Sequence, residues 1–224
     1  MELNENKNTK RRRLTNGVCL KSEGSEFNGF PNVPPTYTHI VLAKLLELDI
    51  IDYIVTQNVD GLHLRSGVPR SKLSILHGDC FLEKCEKCKK EYVRDFDIGG
   101  VSFRKTGRYC ENRHCGGALR DTILDWEDEL PDDDLNKAIH ECENADLVLA
   151  LGTSLRILPA GTLPLKARKF VVINLQETPY NSEASLIIQH PVDIVFMELM
   201  KKLEEADNSN DGVRKEPRRS AIKR

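Results

Sequence analysis

The stretch Asp146-Leu147-Val148-Leu149-Ala150-Leu151-Gly152-Thr153-Ser154 reads as a buried strand that stops in small polar residues. A short, nearly continuous apolar run suits a strand covered on both faces, as in a parallel sheet. Two further runs repeat the arrangement. Residues 50–55 are largely apolar and empty into Thr56-Gln57-Asn58-Val59-Asp60-Gly61, while Phe170-Val171-Val172-Ile173 ends in Asn174-Leu175-Gln176. One polar strand-to-helix loop is ordinary. Three together place a ligand site beyond the carboxyl ends of the strands, where open parallel sheets bind their ligands.

Helical patterns separate these runs. Pro31, Pro34 and Pro35 break the chain before Thr36, a good N-cap, and Ile40, Val41, Leu45 and Leu48 then recur at helical spacing. A second helix is expected over 132–144 and a closing one over 192–203. The sequence holds no internal repeat and no Gly-x-Gly-x-x-Gly run.

The 224 residues allow one domain with a small satellite. Charged residues make up 30% and hydrophobic ones 39%, and the net charge of −2 gives no global reason for nucleic-acid binding. Both ends are locally basic. Lys10, Arg11, Arg12 and Arg13 lie in one polar stretch, and Arg214, Lys215, Arg218, Arg219, Lys223 and Arg224 in another. Neither stretch has the apolar surface to offset its ordering entropy, so both are expected to be disordered tails. Such basic patches also suit nuclear import. No apolar run reaches 18 residues and the N-terminus has no hydrophobic signal region, so no membrane partner is expected.

Without a secretion signal, the seven cysteines are expected as thiols or metal ligands. Between the first two strand patterns lie Cys85-x-x-Cys88 and then Cys110-x4-Cys115. Two close pairs of thiolates match the four soft ligands of a tetrahedral zinc ion. Four thiolates leave no position for water or substrate, so the expectation is one structural Zn2+. His114 is an alternative to Cys115, although Gly116 and Gly117 favour the cysteine knuckle. Lys84, Lys87, Lys89 and Lys90 surround the first pair and favour the thiolate form. A DNA-binding zinc finger fits poorly, because residues 119–128 turn acidic where a basic recognition helix would follow.

Thr56-Gln57-Asn58-Val59-Asp60-Gly61-Leu62-His63, Leu76-His77-Gly78, the four cysteines, Gly152-Thr153-Ser154 and Asn174-Leu175-Gln176 together resemble the sirtuin family. Leu119-Arg120-Asp121-Thr122-Ile123-Leu124-Asp125-Trp126-Glu127-Asp128 looks like its nuclear class IV branch, nearer the sixth mammalian member than the seventh. The resemblance covers residues 16–203. It implies NAD-dependent removal of acyl groups from lysine, with mono-ADP-ribosylation as a related activity. It further implies histone tails as substrate, association with chromatin and a nuclear location.

His77 matches the family's catalytic base, which takes a proton from a ribose hydroxyl. Gln57, Asn58 and Asp60 match the nicotinamide and ribose pocket. Gly152 and Ser154 match the phosphate and ribose side, Asn174 and Gln176 the adenosine end, and Val192 the adenine. Asp125, Trp126 and Glu127 fall where the family binds the acyl-lysine peptide as an added strand.

The sequence departs from the family pattern at its start. It carries no Gly-Ala-Gly-x-Ser loop and no Asp-Phe-Arg segment, and Cys19 stands where the class IV pattern has tryptophan after Gly17-Val18. The missing loop would hold the pyrophosphate at a helix N-terminus, and loss of the first strand exposes a sheet edge. The expectation is a truncated gene model, splice form or fragment with impaired activity. The alternative to an enzyme is an inactive zinc-binding scaffold. The expected architecture is α/β: an incomplete Rossmann-like parallel sheet over 27–79 and 120–204, a zinc module at 80–119, and tails at 1–26 and 205–224.

Overall fold

Helix α1, Tyr37–Glu47, begins where the prolines end and Thr36 takes an extended backbone conformation. A computed structural model describes residues 33–210; the basic stretches at 10–13 and 214–224 and the Cys19 position lie outside them. Val41, Leu42, Leu45 and Leu46 bury one face of α1. Its N-terminus is held by a distant residue. The Asp193 carboxylate accepts from the Thr38 amide at 3.0 Å, from the Thr36 hydroxyl at 3.2 Å and from the Thr38 hydroxyl. A carboxylate at the first turn of a helix meets both its orphan amides and its dipole.

The chain divides into two compact units. One is built from Val33–Thr56, Leu62–Leu76 and the residues from Pro131 onward. It contains β1 (Ile54–Thr56), α2 (Leu62–Arg65) and β2 (Leu73–Ile75), with β1 and β2 paired in parallel. After the other unit's strands come α3 (Asp132–Asn144), β7 (Val148–Leu151), β8 (Phe170–Ile173), β9 (Leu186–Ile188) and α4 (Val192–Asn210), with β7, β8 and β9 forming a second parallel sheet. α4 continues past residue 203, where the apolar periodicity gave its expected end.

The Rossmann strand order 3-2-1-4-5-6 seats its first strand between the second and the fourth. Among the described residues the parallel strands form two sheets, β1–β2 and β7–β8–β9. The fold class is therefore an incomplete Rossmann-like α/β arrangement with an additional small sheet.

Packing in this unit is apolar around β8: Ala150, Leu155, Phe170 and Val172 form a buried cluster, with Val148, Tyr180 and Ala184 against it. A polar staple joins α3 to β2. Arg70 grips Asp134 through two bonds of 2.9 and 2.8 Å, and the Ser74 hydroxyl donates to the Asp134 carbonyl at 2.7 Å. None of the described helices is long and apolar enough to cross a membrane.

The other unit comprises Gln57–Gly61 and His77–Leu130. Its antiparallel sheet runs in the order β4 (Glu91–Val93), β3 (Leu82–Cys85), β6 (Ala118–Arg120), β5 (Lys105–Tyr109). On β3 lies Glu83, whose side chain is wholly buried and meets Arg94 at 2.7 Å and Arg108 at 2.6 Å. Burial alone would raise its carboxyl, but bonds from Thr106, Arg94 and Arg108 outweigh that and hold it below the ordinary value. Glu83→Ala removes the acceptor of Arg94 Nε and Arg108 Nε and opens a cavity, while Arg94 keeps its bond to Glu111 at 3.0 Å. It is expected to destabilise this unit by about 3 kcal/mol, at the low end for a broken buried pair because both arginines keep a path to water. Urea denaturation of parent and variant, each zinc-loaded, measures the difference.

Candidate active site and metal centre

His77 is fixed from both sides along the chain. Its Nδ1 lies 3.2 Å from the Gln57 carbonyl oxygen. A carbonyl only accepts, so the neutral ring carries its proton on Nδ1 and presents the Nε2 lone pair. Burial depresses the His77 pKa below the ordinary imidazole value, an effect the Gln57 carbonyl partly offsets. The ring is therefore neutral near pH 7 and suited to accept a proton.

The backbone behind it is equally constrained. Leu124 N donates to the His77 carbonyl at 3.2 Å. The Thr122 hydroxyl accepts from the Asp79 amide at 3.0 Å and lies 3.1 Å from the carbonyls of Asp79 and Leu82. Segment 121–124 lies so close that a Cβ on Gly78 would come within 1.9 Å of the Thr122 carbonyl oxygen, and the Gly78 φ is +82°. Only glycine meets both conditions. Loop 57–61 joins the same cradle, with Cys80 N bonded to the Val59 carbonyl at 2.9 Å and Val59, Cys80, Phe81 and Ile123 packed together. Asp79 and Thr122 thus support the site; Thr122 lies in the 119–128 stretch that carried the resemblance, but the reading of the sequence gave neither residue this role.

Gln57 and Asp60 are half-buried and Asn58 is exposed in that loop. Asp125, Trp126 and Glu127 sit in an exposed turn, closed by the Asp128 carboxylate accepting from the Asp125 amide at 2.8 Å. Trp126 is 74% exposed, an unusual state for so large an apolar surface.

The remaining candidates belong to the parallel-sheet unit. Gly152 follows β7 with φ +58°, its amide donating to the Ile173 carbonyl at 2.9 Å. A Cβ there would lie 3.7 Å from the Val192 side chain, so these two candidates are neighbours. Asn174 follows β8 and donates through its side chain to the Gln176 carbonyl at 2.9 Å. Ser154 is exposed beside them in sequence, in the loop that leaves β7. The polar loops expected beyond the β7 and β8 carboxyl ends are in place.

In the antiparallel unit the four cysteine sulfurs converge. Cys85 and Cys115 lie 3.6 Å apart, as do Cys88 and Cys110, and all four sulfurs fall within 4.8 Å of one another. A tetrahedron with zinc–sulfur bonds of the usual length has edges of about 3.8 Å, so the cluster fits one zinc ion. Cys115 is the fourth member, while His114 is exposed and outside the group. Hydrogen bonds from the Cys88 and Lys87 amides favour the Cys85 thiolate and bring its pKa down to about 6.

The Sir2 family model matches residues 7–159. The chain belongs to the Sir2 family. Among curated Sir2 relatives it is 47% identical over 178 residues to the NAD-dependent protein deacetylase SRT1 of Arabidopsis thaliana, covering 78% of this chain and 38% of that protein. It is 40% identical to the NAD-dependent protein deacetylase Sirt6 of Drosophila melanogaster, covering 82% of this chain and 62% of that protein. Human sirtuin-7 is 39% identical, with 75% and 46% covered. This chain therefore spans between about a third and two thirds of those Sir2 relatives.

Solved Sir2 structures agree in fold. A Sir2 homologue in complex with NAD superposes with a TM-score of 0.63 at 29% identity, covering 78% of this chain and 67% of that one. A Sir2 protein bound to an acetylated peptide gives 0.61 at 32%, covering 76% and 71%.

Proposed function

We propose that this chain is an NAD-dependent protein-lysine deacylase. The observation that carries the reading is the neutral His77 ring, held at Gln57 with Nε2 left as acceptor in a Sir2 chain. The names of the relatives, NAD-dependent protein deacetylases, support it. When bound, NAD supplies the ribose carbon that receives the acyl oxygen as nicotinamide leaves. His77 Nε2 takes the proton of a ribose hydroxyl, and Gln57, Asn58 and Asp60 line the nicotinamide and ribose end. Gly152 and Ser154 serve the phosphate and ribose side, Asn174 and Gln176 the adenosine, and Val192 the adenine. Asp125, Trp126 and Glu127 pair with the substrate backbone, and Cys85, Cys88, Cys110 and Cys115 hold a structural zinc.

Residues of the parallel-sheet unit support the cofactor assignment. A Cβ at Gly152 would meet only the Val192 side chain, and polar loops follow β7 and β8. The Gly-Ala-Gly-x-Ser loop that would grip the pyrophosphate does not occur in the sequence. We assign acetylated histone tails as substrate, chromatin as the place of action and the nucleus as the compartment. Mono-ADP-ribosylation is the accompanying activity.

The test is to incubate the zinc-loaded chain with NAD and an acetylated or long-chain-acylated histone peptide. Nicotinamide and deacylated peptide are expected in equal amounts; nicotinamide released with ADP-ribose attached to protein instead marks the accompanying transfer activity. A second reading, a zinc-binding scaffold without turnover, rests on the four-sulfur cluster. It follows if a folded, zinc-loaded chain neither binds NAD nor turns over.

A further inference from the structure

Tyr92 is 6% exposed on β4, and its hydroxyl lies 3.0 Å from the Cys110 sulfur. The same oxygen accepts the Glu111 amide at 3.0 Å. A phenol has one proton, and with the Glu111 N–H on an oxygen lone pair that proton points at the sulfur. A metal-bound thiolate has no proton of its own, so the phenol is the donor. The ring cannot swing away. Lys90 Nζ sits 5.0 Å from its centroid and the Arg94 guanidinium 5.1 Å, and the ring packs with Cys85, Cys110 and Leu119. The two cations over the ring help hold it in place.

We infer that Tyr92 is a positioning residue of the metal centre. It donates a hydrogen bond to Cys110, fixes that ligand's orientation and damps the sulfur's charge and nucleophilicity. Outer partners of this kind raise metal affinity by fixing a ligand before the ion arrives. A tetrathiolate zinc site carries two net negative charges, and a donor aimed at one sulfur spreads them. The inference rests on the four-sulfur site alone and holds whether or not the chain turns over NAD.

The test uses the whole zinc-loaded chain and its Tyr92→Phe variant, which keeps the ring, its packing and both cations. Zinc affinity is read by competition with a chromogenic chelator, and the cobalt(II)-substituted forms are compared by their thiolate-to-metal charge-transfer bands. The variant is expected to bind zinc about tenfold or more weakly, with a shifted charge-transfer band. Affinity within twofold of the parent and an unmoved band would overturn the inference and leave Tyr92 as packing only. If Tyr92→Phe fails to fold, 3-fluorotyrosine at position 92 decides, since it preserves shape and strengthens the donor. Slower zinc release than the parent then supports the role, and unchanged release overturns it.

Discussion

His77→Tyr is expected to abolish the proposed NAD-dependent deacylation, by at least about a hundredfold in kcat, while the zinc content of the chain stays whole. General bases contribute that much or more, and tyrosine offers a phenol that stays protonated near neutral pH in place of the imidazole acceptor. The larger ring also loses the bond from Nδ1 to the Gln57 carbonyl, so loop 57–61 is left held mainly by Cys80 N and the Val59 cluster. His77→Asn separates the two effects, because its amide still donates toward Gln57 but cannot act as a base. Turnover by both variants close to the parent would remove His77 from the chemistry.

The acid limb of the pH profile adds a check on the same residue. Burial lowers the His77 pKa, so the ring stays neutral down to a pH below the ordinary 6.5. The acid limb of kcat/KM should therefore lie below 6.5, and a limb above it would contradict a buried base. The stability linkage has the same sign. Between the folded and unfolded pKa values the unfolded chain binds more protons, so the contribution present above about 6.5 is lost as pH falls through that window.

Much of this arrangement could be read from local pattern. Residues 170–173 are apolar throughout and β8 has those bounds, because a strand buried on both faces needs no polar position. The cysteine pairs converge as their spacing requires. Where the reading missed, longer contacts had altered the local signal. The run at 50–55 becomes a strand only over Ile54–Thr56, because Asp49 turns left-handed at φ 52° and the amides of Ile50 and Ile51 bond back to Leu45. β2 stayed hidden because Ser74 interrupts its apolar pattern, and only the fold shows that serine buried and bonded to Asp134, 60 residues away. Thr122 and Tyr92 act on partners 43 and 18 residues off, so no neighbouring residue announces them.

Zinc removal should have the largest structural effect, because three of the four ligands are built into a buried cluster of the antiparallel unit. Cys85, Tyr92, Cys110 and Leu119 pack together with Cys115 against them. Without the ion, four sulfurs within 4.8 Å must either protonate or repel, and neither state holds the knuckles closed. Structural zinc sites supply on the order of 10 kcal/mol or more of apparent free energy, comparable to the whole stability of a small domain. A strong chelator, or Cys110→Ser, is therefore expected to open residues 86–118 to protease and to loosen their sheet. The effect should reach His77. Its backbone is clipped by Leu124 and its neighbour Asp79 by Thr122, and both of those contacts cross the zinc-closed stretch of chain. Freed of the metal, that stretch becomes a long flexible loop whose closure opposes the clip. Limited proteolysis with mass mapping, before chelation, after it and after zinc is restored, measures the first effect; turnover on the same samples measures the second. Unchanged cleavage in metal-free protein would mean the β3–β6 sheet stands on Glu83 and its arginines alone. Opened residues 86–118 with full turnover would mean the His77 cradle is held by its apolar cluster without the clip.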